Sequence, residues 1–90
     1  MTEDQAPSLI EYPCTFPIKV MGLNGPDFVS ALSRVAFNFD PSFDSKTIEL
    51  RESKSGKYLG VTLHIWAISR EQLDELYRTL STHPMVKVVL

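Results

Sequence analysis

Two histidines, one cysteine and one glycine-rich turn are the places in this chain where residue type and spacing suggest chemistry. His64 and His83 lie 19 residues apart, with no cysteine or paired carboxylate at metal-ligand spacing from either. Cys14 is the only thiol, so the several thiolates that soft metals and iron–sulfur clusters need are missing. It reads as a packed or surface thiol, and no serine stands in a recognisable nucleophile setting. His64 reads as an imidazole on a half-exposed sheet face, and His83 as a charge or cap at a helix end. The expectation is a protein that is not an enzyme and carries no metal or cofactor. The turn Gly22-Leu23-Asn24-Gly25 has two readings. Its backbone N–H groups could approach a small anion at a helix N-terminus, or its glycines could serve only a tight strand-to-helix connection.

Placing these residues requires the elements that carry them. Tyr58 to Ala67 alternates strictly, sending Leu59, Val61, Leu63 and Ile65 to one face and Tyr58, Gly60, Thr62, His64 and Trp66 to the other. Phe16 to Met21 alternates likewise, with Phe16, Ile18 and Val20 toward the core and Pro17 near the strand start. Pro26 suits the first position of a helix, and Phe28, Leu32, Val35 and Phe39 form its apolar stripe, with Pro41 ending it. Lys46 to Glu52 is a polar strand with Ile48 and Leu50 on one side, joined to the next strand by a turn in which Gly56 takes a positive φ. Ser69 with Gln72 forms a capping box, Ile68 and Leu73 a hydrophobic staple, and Leu73, Leu76, Tyr77 and Leu80 a second helical stripe that Pro84 stops. Met85 to Leu90 closes the chain as a strand with Val86, Val88 and Leu90 in phase.

The order βαββαβ with right-handed crossovers predicts an α+β ferredoxin-like domain: a four-stranded antiparallel sheet in order 4-1-3-2 with two helices on one face. Residues 1–12 are expected to be a flexible N-terminal arm and 13–90 the domain. Nine basic against eleven acidic residues remove the bulk attraction that nucleic-acid binders use. No apolar run reaches the roughly 20 residues of a membrane helix. One unpaired cysteine and no charged-then-apolar leader suggest the cytoplasm.

Pro13-Cys14-Thr15-Phe16-Pro17-Ile18-Lys19-Val20-Met21-Gly22, Ser53-Lys54-Ser55-Gly56-Lys57-Tyr58, Gln72 with Tyr77 and Leu80, and Val86 to Leu90 carry a resemblance. Over nearly all of the chain after Tyr12 it resembles the YbeD-like family of small bacterial proteins of unknown function. That resemblance implies a ferredoxin-like fold close to ACT domains, which sense amino acids in regulated enzymes, and it implies no activity and no site residues. Acylphosphatases of this fold place an arginine in the first loop, and the loop here has none, leaving a phosphoryl charge unstabilised.

Lys19, Thr62, His64, Trp66 and Lys87 are out of phase with the core and are expected on the uncovered sheet face. Tryptophan favours interface hot spots, so the expected role is a regulatory or adaptor module that binds a partner protein or a second copy. An ACT-like alternative adds a small anionic effector at Gly22, Asn24 and Gly25. An RNA-binding alternative uses the same sheet face, but strand one lacks an open-face aromatic and the chain is acidic, so nucleic acid is disfavoured.

Overall fold

Ten residues of strict alternation make the central strand. In the computed structural model, which describes residues 10–90, β3 (Tyr58–Ala67) buries Leu59, Val61, Leu63, Ile65 and Ala67 and leaves the intervening side chains on the opposite face. Its full-length partner is β1 (Cys14–Leu23), antiparallel, with Lys19 opposite Thr62 and Met21 opposite Gly60. The short β2 (Glu49–Glu52) flanks β3, and β4 (Val86–Val89) flanks β1, giving the order β2-β3-β1-β4. This is the expected 4-1-3-2 sheet read from its other edge.

The two helices, α1 (Phe28–Phe39) and α2 (Arg70–Ser81), cover one face. Phe28, Leu32, Val35 and Ala36 of α1 and Leu73, Leu76 and Leu80 of α2 meet Ile18, Val20 and the buried set of β3 in one core. Fully burying a residue such as Leu63 or Phe28 contributes about 1.5–3 kcal/mol, so the stripes that define the helices also hold them to the sheet. Phe43 enters the same core from the α1–β2 connection, which contains a 3₁₀ turn at Ser45–Thr47.

Several local expectations need correction. β1 runs two residues further than the turn-like composition of Gly22-Leu23 suggests, because Gly22 pairs with Leu59 inside the sheet. A Cβ at Gly22 would lie 2.6 Å from Phe28 Cζ and within contact of the Met85 carbonyl oxygen, so glycine is there for close approach. Helix α1 starts at Phe28 and not at Pro26, with Asp27 as an N-cap whose side chain makes no capping bond. β2 starts at Glu49, three residues late, because Ser45–Thr47 is taken up by the 3₁₀ turn.

The phase of β4 also changes. Its register against β1 slips between Met21 and Gly22, where Lys87 is an extra residue. Val86 and Val89 therefore pack on the core, while Val88 pairs with Met21 and is exposed. Gly56 has a φ of 77°, as its turn requires. Ile10 and Tyr12 lie beside Phe16, Leu73 and Tyr77, and the part of the expected arm at residues 1–9 lies outside the described residues.

Candidate functional site

With both helices on one side, no helix among the described residues covers the other face of the sheet. Lys19 and Met21 of β1, Tyr58, Gly60, Thr62, His64 and Trp66 of β3, Glu49 and Arg51 of β2 and Val88 of β4 share it by strand register. Gly60 has no side chain, and a groove of about 490 Å³ runs across the sheet above it, bordered by Lys19, Met21, Glu49, Arg51, Tyr58, Thr62 and Leu90. Lys19 stands across Thr62 from Glu49, and Arg51 lies two residues along β2 from Glu49, so the groove carries both signs of charge. His64 lies at one end, its Nε2 2.8 Å from Glu49 Oε2.

Trp66 projects beyond β2, and its backbone is fixed in an unusual way. Its N–H points to the side of β3 where the four-residue β2 has already ended, so no strand receives it. Asp40 Oδ2 accepts that N–H at 2.9 Å, while Asp40 Oδ1 accepts from the Ser42 N–H and hydroxyl. Gln72 Nε2 donates to the Trp66 carbonyl at 3.2 Å and to the Phe39 carbonyl at 2.9 Å. Asp40 is only 3 % exposed, whereas the tryptophan it holds is 45 % exposed. A large aromatic group is thereby presented to solvent from a backbone held at both its N–H and its carbonyl.

The sequence expectations meet this geometry unevenly. Lys19, Thr62, His64 and Trp66 come together on the open face. Lys87, at the bulge of β4, is exposed but stands apart from the groove lining. Gly22, Asn24 and Gly25 do not join them. Asn24 Nδ2 donates to Glu52 Oε2 at 3.2 Å and to the Gly56 carbonyl at 3.1 Å, and the Asn24 N–H donates to the Lys57 carbonyl at 2.9 Å. These bonds tie the first loop to the β2–β3 turn. Asp40 and Arg51 are not among the residues that the sequence pattern assigns to a site. For Asp40 the available signal is Asp-Pro-Ser after a helical stripe, a spacing at which a carboxylate bonds the residue two positions on. For Arg51 it is only its alternation with Leu50.

Among the described residues no cluster of three His, Cys, Asp or Glu side chains could hold a metal. The Tyr77 phenol, on α2 and away from the open face, has its pKa raised by burial.

The fold and this face define a ferredoxin-like α+β domain with one unshielded sheet surface. The chain belongs to the family described as "Protein of unknown function (DUF493)", whose model matches residues 7–90. It is 58 % identical over 83 residues to a UPF0250 protein of Leptothrix cholodnii, covering 92 % of this chain and 91 % of that one. A UPF0250 protein of Bordetella pertussis shows the same identity over the same length and coverage. The YbeD group is the UPF0250 family, so the sequence resemblance and this membership agree. The solution structure of protein HP0495 from H. pylori is similar over 100 % of this chain and 94 % of that one, with a TM-score of 0.70 at 19 % identity. At that identity the likeness establishes the fold. No helix among the described residues is long and apolar enough to cross a membrane.

Proposed function

We propose that this chain is a non-enzymatic regulatory or adaptor domain of the cytoplasm whose open sheet face docks a segment of a partner protein. The observation that carries this reading is the groove over Gly60, framed by charges of both signs, on the same sheet face as the exposed indole of Trp66. With its backbone N–H and carbonyl bonded, Trp66 has only its two side-chain torsions left to order on binding, and tryptophan is enriched at interface hot spots. Mixed charge gives orientation to a protein segment. It offers less to a nucleic acid, whose phosphates need a surplus of cations along their path.

The groove is preferred to the first loop as the binding site because the loop's one polar side chain is already in use. Both Asn24 amide hydrogens are committed to Glu52 and Gly56, and the Glu52 carboxylate beside them repels an anion. Cytoplasmic residence is supported by the single thiol, Cys14, which has no disulfide partner.

The test is capture of the cellular partner with Trp66→Ala and with Lys19→Glu, both at exposed positions. Each is expected to weaken capture about tenfold or more, as loss of a hot-spot side chain does, while the circular dichroism and Tm stay near those of the unsubstituted chain. Capture unchanged by both substitutions contradicts the reading. Binding of single-stranded RNA that falls steeply with salt would replace it with a nucleic-acid role.

A further inference from the structure

The two edges of the sheet differ in how they are closed. β4 is bulged at Lys87 and entered from Pro84, devices that spoil an edge for pairing. β2 is regular, contains no proline, and among the described residues has β3 as its one neighbour. Its Leu50 lies on the helix side, opposite Val61, yet is 55 % exposed because α1 does not reach over it. Between α1 and β2 lies a groove of about 560 Å³ lined by Val29, Ser33, Phe37, Ile48 and Leu50 among others, and Phe37 is 47 % exposed there.

We propose that β2 pairs antiparallel with β2 of a second copy of this chain about a two-fold axis through Leu50, joining two sheets into one. The backbone selects which residues can pair. The Ser53 N–H donates to the Tyr58 carbonyl at 3.0 Å, so Ser53, Arg51 and Glu49 bond toward β3. By the alternation of antiparallel ladders, Leu50 and Glu52 turn their N–H and C=O outward to the free edge. A two-fold pair must match these outward residues with each other.

Charge then selects the register. Centred on Leu50, the pairing sets Leu50 against Leu50, and Glu49 against Arg51 on both sides of the axis. Moved one step either way, it sets Glu49 against Glu49, or Arg51 against Arg51, both repulsive across a strand pair. In the Leu50-centred register the Leu50 groups exchange N–H···O bonds, and each Glu52 N–H reaches the Ile48 carbonyl of the other copy. The Ile48 N–H is already bonded to the Ser45 carbonyl at 3.2 Å, so it asks for no partner. Opposed residues share a face, so both Leu50 side chains lie on the helix side. The two α1–β2 grooves then adjoin, and their apolar lining leaves water. A heterologous strand could also use this edge, but the Glu-Leu-Arg alternation is self-complementary, and that favours a second copy. The pairing concerns the sheet edge and stands independently of what docks on the open face.

The experiment is sedimentation equilibrium of the full chain with three variants. The unsubstituted protein is expected to move with concentration from its 10.2 kDa monomer mass toward twice that value. Glu49→Arg alone and Arg51→Glu alone each set like charges opposite one another, raising the dissociation constant about tenfold or more. The double swap Glu49→Arg with Arg51→Glu restores association. Glu49→Arg also loses the contact with His64, and the double variant loses it equally, so recovery reads the register alone. Leu50→Lys, at an exposed position, is expected to remain monomeric while folded. A monomer at every concentration up to about 1 mM, or association that ignores both swaps, overturns the proposal.

Discussion

The β1–α1 and β3–α2 junctions occupy equivalent places in the two halves of the fold and are held by opposite means. At the second, Ser69 Oγ accepts the Gln72 N–H at 3.1 Å and Gln72 Oε1 accepts the Ile68 N–H at 2.7 Å, so neighbours in sequence hold it. At the first, Asp27 makes no side-chain cap, and the loop is tied through Asn24 to Glu52, Gly56 and Lys57, about thirty residues away. A helix start can therefore be fixed locally or borrowed from a distant turn.

The largest difference between the junctions should appear at Gly22. Gly22→Ala drives a methyl group into Phe28 and the Met85 carbonyl and is expected to cost about 3 kcal/mol or more. Thermal unfolding should show a Tm lower by at least roughly 12 °C, and a Tm within a few degrees would remove the close approach from the account. Asp40→Ala strips the buried acceptor from the Trp66 N–H and is expected to cost about 2 kcal/mol in urea unfolding. Asn24→Ala breaks exposed bonds and should cost about 1 kcal/mol or less, with faster exchange of the residue-24 amide, which donates to the Lys57 carbonyl, and no acceleration at Gln72. Equal acceleration at both junctions would erase the contrast.

The smallest effect is alkaline. Burial raises the Tyr77 pKa above its ordinary value, so the folded state favours the neutral phenol. That contribution is complete below pH 10, the unfolded value, and is lost as pH rises through the folded pKa. Tyr77→Phe should flatten the decline of stability above pH 10, and an unchanged decline would place its cause elsewhere.

The same contrast explains what the sequence made legible. Leu59 through Ala67 and the α2 stripe carry their periods openly, so β3, the helix order and the sheet order follow from pattern alone. Ser69 and Gln72 announce their junction because cap and partner are three residues apart, although Gln72 reaches Ile68 and not Ser69. Ile68, expected as half of a staple, stays 60 % exposed. Gly22 misleads because glycine in a strand and glycine in a turn look identical until Phe28 is seen against it. Val88 and Val89 exchange faces because a one-residue bulge has no composition signal. On the open face, Lys19, Thr62, His64 and Trp66 were legible from phase. The groove depends on Gly60 lying opposite Met21 and Arg51, a pairing that no single strand reveals.

The central claim, that the bare side of the sheet receives a protein, is tested most directly by site-specific photocrosslinking in the native cell. A benzoylphenylalanine replaces either Val88, exposed on the open face beside Met21, or Arg78, exposed on the outer side of α2. The account predicts a discrete protein adduct from position 88 that disappears when Trp66→Ala is added, and none from position 78. Adducts of equal yield from both positions, or only from position 78, would contradict it.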